Sequence, residues 1–369
     1  MKLSYFTMPL HPPSRNYAET LKEDREAILL ADRLGFAEAF IGEHVTDRAE
    51  TVTSCLMFIA SLAHDTKSIV LGSGTVNMSL NHPAIIAGQV AMIDNILEGR
   101  FLFGISPGAL KSDAEALGIL HQDRNEMFVE SIDHVLAIWS TDPPYRLKGK
   151  YWTITTEESL IEEIGQGVIV GPYQKPHPPI VVTVVAPYSK GLTEAAARGW
   201  TSISANFLMP EWVRTHWPKY VEGCERVGRV ADPADWRVAK SIFVADDERT
   251  AREYALESAN SPYRFYYRQL MQKLISAGRS NLFKHDQSMP DDAVTLDYVT
   301  DRLVIAGTVD SVVDRLLAFR DHVGAFGTLV YAGHDWVDKA LSRRSMELMA
   351  NEVMPRLNEA IGGVDEAAE

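Results

Sequence analysis

Two polar residues stand where an apolar run stops. Ala37-Glu38-Ala39-Phe40-Ile41 ends at Gly42, and Glu43 and His44 follow. An imidazole changes charge near neutral pH, so His44 is the first candidate for moving a proton. The second candidate is Ser106, in Gly104-Ile105-Ser106-Pro107-Gly108, which has the G-x-S-x-G form of a hydrolase nucleophile after a strand. Asp310, His322, His334 and Asp335 complete a triad on paper. Two facts weigh against that chemistry. The residue after the nucleophile must donate its backbone N–H to an oxyanion, and Pro107 has none. A helix should also follow at once, whereas the next sustained helical pattern begins near Arg124. Gly72-Ser73-Gly74 lacks the third glycine of a dinucleotide fingerprint. There is no P-loop, H-E-x-x-H or C-x-x-C, and the lone histidines His44, His64 and His82 do not make a metal set, so no metal is expected. A chain without an obvious nucleophile, metal site or strong acid–base pair points to a cofactor as the source of reactivity.

The elements that would position these residues repeat one grammar: amphipathic helix, glycine, short apolar strand, polar residues. The patterning predicts strands at Lys2–Phe6, Ala37–Ile41, Ser68–Gly72, Phe101–Ile105, Ile180–Val185, Thr201–Ser204, Val238–Ala245 and Thr328–Tyr331. It predicts helices at Ala18–Leu34, Cys55–Ala63, Ala84–Leu97, Arg124–Trp139, Lys190–Arg198, Glu211–Val227, Val309–His322 and Val337–Leu357. Two excursions interrupt the alternation. Residues 141–178 are rich in Pro, Gly and Tyr, with short strands expected at YWTIT and GVIVG; residues 247–300 carry helical segments. Eight strand–helix units are the count of an α/β TIM (β/α)8 barrel, here one domain over 1–369 with insertions at the carboxyl-end face; an open doubly wound sheet is the rival. The acidic tail 362–369 is expected to fray. Ligand sites in such folds lie at the carboxyl ends of the strands, where His44 falls.

The net charge of −14, with no basic run, excludes a nucleic-acid partner. Two cysteines, each within a predicted helix, indicate a reducing compartment rather than a disulfide framework. No apolar run is long enough for a membrane span, and the first residues do not read as a signal peptide, so a cytoplasmic protein is expected. The helices at Cys55–Ala63 and Ala84–Leu97 are nearly apolar all round, which predicts a subunit contact and a homodimer.

Several stretches in this order resemble the bacterial luciferase-like flavin-dependent monooxygenases: GEH after the second strand, the bulge after the third, the His82-Pro83 helix start, EGRFLFGISPG, AGTVDSVVDRLLAFR and MPRLNE. FGTLVYAGHDW and the tyrosine-rich second excursion resemble the limonene-monooxygenase-like branch more than the light-emitting luciferases. The resemblance implies a TIM barrel that binds reduced FMN, supplied by a separate flavin reductase acting as a transient partner. The flavin would react with O2, and its C4a-hydroperoxide would oxygenate a small apolar substrate such as a terpene, aldehyde or ketone. It implies His44 as the catalytic histidine and Gly74-Thr75 as a bulge with a non-prolyl cis peptide under the flavin. Asn77 falls in the same cofactor-binding stretch. Ser106 stands where luciferase has a reactive cysteine. Arg124 matches a phosphate-binding arginine by a one-residue shift, while Pro107 replaces another. Tyr188, Ser189 and Lys190 open a helix whose free N–H groups suit the FMN phosphate. Tyr263, Phe265 and Tyr266 would line the substrate side of a water-excluding lid. The alternatives are a deazaflavin-dependent dehydrogenase of the same superfamily and a non-catalytic flavin-binding homologue.

Overall fold

A computed structural model describes residues 1–368. Eight parallel strands close on themselves: β1 (Lys2–Thr7), β2 (Glu38–Ile41), β3 (Val70–Ser73), β4 (Phe101–Ser106), β5 (Ile180–Val184), β6 (Thr201–Ser204), β7 (Trp236–Val244) and β8 (Thr328–Ala332). The ring closes where β8 pairs with β1, Tyr331 opposite Tyr5. The open-sheet rival is thereby excluded.

Each strand sends one residue into an inner apolar cluster: Phe6, Phe40, Val70, Leu102, Val181, Ile203, Ala239 and Val330. Side chains two residues apart on a strand share a face, so the layers above and below follow from the same register. Below it, toward the amino ends, Arg237 donates to both carboxylate oxygens of Glu38 at 2.7 Å, and Ser4 and Thr201 complete the plug. Above it the strand ends carry the polar residues of the site.

The principal helices are α1 (Tyr17–Arg33), α2 (Cys55–Leu62), α3 (Pro83–Ile96), α4 (Arg124–Ser140), α5 (Lys190–Ala197), α6 (His216–Arg226), α7 (Val309–Val323) and α8 (Lys339–Leu348). Their starts are sequence-encoded. His82 accepts from the N–H of Ala84 with Pro83 in the first turn; Asp123 and Ser189 cap α4 and α5.

Several boundaries differ from expectation. The helix expected over Glu211–Val227 is split into Pro210–Val213 and α6. The eighth passes through a π-helical turn at Met349–Val353 and continues as Met354–Ala368. Glu369 lies outside the described residues. In the first excursion Thr153–Thr155 pairs with Arg146–Lys148. GVIVG joins no strand, because the N–H and C=O of Ile169 are both taken by the Tyr145 hydroxyl. A further strand, Val304–Gly307, extends the sheet beside the carboxyl half of β7. It was hidden at the edge of the second excursion. That excursion supplies a helix, Pro262–Ser276, lying across the strand ends. There Tyr263 donates to the Ile242 carbonyl at 2.6 Å, and the Tyr267 and Ser241 hydroxyls are 2.9 Å apart.

Candidate active site at the carboxyl ends of the strands

Just past β2, His44 has a carboxylate beside each ring nitrogen. Its Nδ1 donates to Asp113 Oδ2 at 2.9 Å, and its Nε2 lies 3.1 Å from Glu50 Oε2 without hydrogen-bond alignment. Burial pushes the imidazole pKa down. The Asp113 hydrogen bond and the charges of Glu50 and Asp113 outweigh burial, so the net shift is upward. Asp113 itself is held below the usual carboxylate range: burial raises it, but the bonds from His44 and Thr46 prevail. Glu50 accepts from Lys273 at 2.8 Å, and Lys273 also pairs with Asp47. Lys273 belongs to the helix Pro262–Ser276, so the covering helix is tied to the partner of His44.

Asp113 was missed by sequence reasoning. It sits on Lys111–Ala116, a helix too short to show apolar periodicity. Glu43, beside His44, takes a different direction from it. It accepts from the N–H groups of Cys55 at 2.9 Å and Asn77 at 3.1 Å. Two orphan donors, one at the start of α2 and one on the bulge, decide its direction.

The bulge after β3 builds the next part. Pairing of β3 with β4 stops at Gly72–Leu102 and resumes at Val76–Ile105. In the gap the Gly74–Thr75 peptide is cis. Ser73 Oγ fills the broken ladder, donating to the Gly104 carbonyl at 2.8 Å and accepting from its N–H at 2.9 Å. A Cβ on Gly104 would fall 1.8 Å from Ser73 O, so this glycine serves backbone approach and not a nucleophile elbow. Ser106 Oγ accepts from Thr75 Oγ1 at 2.7 Å and donates to Asn77 Oδ1 at 3.1 Å. The structure therefore brings Thr75, Asn77 and Ser106 into one hydrogen-bond chain.

Arg124 is paired with neither Asp123, which caps α4, nor Glu126, which binds Lys150. Its Nη1 donates to the Gly108 carbonyl at 2.8 Å, and among the described residues it has no carboxylate partner. At the end of β5, Ser189 caps α5 and Tyr188 adopts φ +52° with its ring exposed. Lys190 is exposed and makes no ion pair among the described residues. Only Ser189 Oγ, at 3.7 Å, would lie near a side chain at Gly191, so the helix start is open to an approaching anion. A further cation was missed: Arg279 Nη2 donates to the Val185 carbonyl at 2.7 Å at this same strand end.

The tyrosines divide. Tyr263 and Tyr266 are buried, with ring centroids 4.2 and 4.7 Å from that of His334, and Tyr266 donates to Asn206 Oδ1 at 3.3 Å. Phe265 is only half-buried on another face of the helix, against the same apolar cluster. Burial holds His334 neutral, its pKa pushed down to about 3. The carboxyl face thus joins a hydroxyl–amide chain, a carboxylate-held imidazole, uncommitted cations and an aromatic wall.

That barrel and that face define a class. The family model for luciferase-like monooxygenases matches residues 1–325, and the chain belongs to this family. It is 29% identical over 367 residues to 4-hydroxyprotoasukamycin monooxygenase of Streptomyces nodosus subsp. asukaensis, covering 97% of this chain and 93% of that protein. It is 29% identical over 359 residues to limonene 1,2-monooxygenase of Rhodococcus erythropolis, covering 97% and 87%. The oxygenating constituent of 3,6-diketocamphane monooxygenase from Pseudomonas putida, a type II Baeyer–Villiger monooxygenase solved with FMN, superposes with a TM-score of 0.86. That match has 26% identity and covers 96% of this chain and 98% of that one. F420-dependent glucose-6-phosphate dehydrogenase of Nakamurella multipartita is a more distant relative, at 22% identity.

Proposed function

We propose that this chain is the oxygenase of a two-component flavin-dependent monooxygenase, taking reduced FMN from a separate reductase and acting with O2 on a small apolar molecule. The observation that carries the reading is the carboxylate-held His44 at the barrel mouth, beside a bulge whose hydroxyls are already ordered. The residues fit FMN: Thr75, Asn77 and Ser106 offer polar atoms for a ring system, while Arg124, Lys190 and the start of α5 offer an uncommitted anion site. Arg279, at the end of β5, adds a further cation. Bound reduced flavin would supply activation of O2.

The chain's own residues have separate tasks. Asp113 fixes the ring of His44 and, with Glu50, favours its protonated form, so the imidazole can serve as a proton donor at the barrel mouth. Tyr263 and Tyr266 keep water out and leave an apolar wall for the substrate. The relative described as an oxygenating constituent supports a partner reductase. The exposed apolar residues of α2 and α3 support a homodimer, and two buried free cysteines suit a reducing cytoplasm. No helix among the described residues is long and apolar enough to cross a membrane.

Single turnover tests this reading. Photoreduced FMN, added without any reductase to the protein, O2 and a panel of terpenes, aldehydes and cyclic ketones, should give up to one product per site. The relative that uses F420 motivates the second reading, a deazaflavin-dependent dehydrogenase. Oxidation of an alcohol with F420, and no oxygenated product with FMN, would establish that one instead.

A further inference from the structure

Lys240 lies in the middle of β7, away from the mouth. Ala239 and Ser241 face the barrel interior, one in the inner apolar cluster and the other bonded to Asn206 and His334. Lys240 therefore points outward, under the helices. It is 2% exposed, its Nζ lies 4.8 Å from the Phe319 ring, and among the described residues it makes no hydrogen bond or ion pair. It lines a cavity of ≈ 320 Å³ between β7, Val304–Gly307, α7 and the helices Pro210–Val213 and Leu296–Leu303.

One buried carboxylate oxygen there lacks a partner. Glu211 Oε1 accepts from Arg302 at 2.7 Å, but its Oε2 has none. Arg315, at the rim, uses one nitrogen on the Ala306 carbonyl and has no carboxylate partner among the described residues. The lining holds the amine of Lys240 and the guanidinium groups of Arg302 and Arg315, against Glu211 and Asp301, within a chain of net charge −14. Phe319 and Ile305 supply apolar wall. Buried polar groups left unmade are costly, and the volume is that of a small-molecule site.

We propose that this cavity is a second ligand site, for a small organic carboxylate with an apolar body. The carboxylate pairs with Lys240 and Arg315, the body lies on Phe319 and Ile305, and a hydroxyl on the ligand serves Glu211. The site is independent of the flavin reading.

Its signature is proton uptake. Burial, with Arg315 nearby, lowers the Lys240 pKa to about 7. Glu211, Asp301, Arg302, Arg315 and His322 are the other charged or titratable groups on the cavity. At about pH 8 the free amine is mostly neutral, and an anion beside it draws a proton on. Calorimetry with benzoate and 3-hydroxybenzoate, in buffers of different ionisation enthalpy, should show saturable binding of at least one, with uptake approaching one proton. Lys240→Met, which removes an unpartnered amine, should fold, retain reduced-FMN binding and bind the probe at least ~10-fold more weakly, the scale of a charge-assisted contact. Arg315→Gln, at the rim, should weaken it in the same direction. No saturable binding of either probe, binding without proton uptake, or unchanged affinity in both variants would overturn the proposal.

Discussion

His44 has a carboxylate on each side of its ring, and that arrangement makes a specific demand on Asp113. Asp113→Asn keeps the shape but removes the charge that lifts the imidazole pKa, so the pKa of His44 should fall and the alkaline limb of the activity profile should move to lower pH. Asp113 also accepts from Val45, Thr46 and His44, so the substitution should lower stability by about 2 kcal/mol, the range for hydrogen bonds to charged groups. A pH profile that does not move would make Asp113 a loop staple only. Arg124 makes the complementary case. Its guanidinium is uncommitted, so Arg124→Ala should weaken reduced-FMN binding by at least ~1.5 kcal/mol. An unchanged dissociation constant would return Arg124 to holding Gly108 alone. His44 was legible as a titratable group after a strand. Asp113 was not, because the hydrogen bond spans 69 residues and its helix carries no pattern.

At the scale of elements, α2 and α3 carry the feature most easily read from the chain. Their lack of a polar stripe is visible in the sequence, and the structure leaves Met57 at 75% and Ile85 and Met92 at 58% exposure. Val170 and Tyr173 are also exposed, and Asn95 on α3 ties this segment down through the Gly171 carbonyl. Exposed apolar surface of this kind is what a subunit contact would cover. The protein should run as a dimer by light scattering at micromolar concentration, and Ile85→Glu with Met92→Glu should give folded monomer. A wild-type monomer would leave the patch unexplained. The Pro262–Ser276 helix was harder to place, since its tyrosines read equally well as core. Its position depends on long-range bonds, Tyr263 to Ile242 and Lys273 to Glu50, that no local pattern encodes.

For the whole molecule, eight repeats of one strand–helix pattern sufficed to suggest a barrel, because each unit is local. Closure is not local: it rests on the β8–β1 pairing and on Glu38–Arg237 bridging β2 and β7. Buried histidines contribute to the pH dependence of stability on both sides of neutrality. His11, between Asp24 and Asp335, has its pKa raised to about 9: burial lowers it, but the two carboxylates prevail. Its stabilisation is full below the unfolded value of ~6.5 and is lost as pH rises through about 9. His216 and His334 are held down at about 4 and about 3 by burial, so the unfolded chain takes up their protons first as pH falls below ~6.5. Denaturant melts against pH should therefore lose stability on both sides of a maximum near ~6.5. His11→Gln should flatten the alkaline side. A flat acid side would mean that His216 and His334 are not buried neutral.

Oxygen transfer governed by His44 can be followed with labelled oxygen. Reduced FMN, ¹⁸O2 and an accepted terpene or ketone should give product carrying one ¹⁸O atom. His44→Ala should bind reduced FMN within about a factor of three of wild type and make ~10²-fold less product, with the missing flux recovered as hydrogen peroxide. Product without ¹⁸O, or a His44→Ala protein that loses flavin binding yet keeps its coupling, would contradict the account.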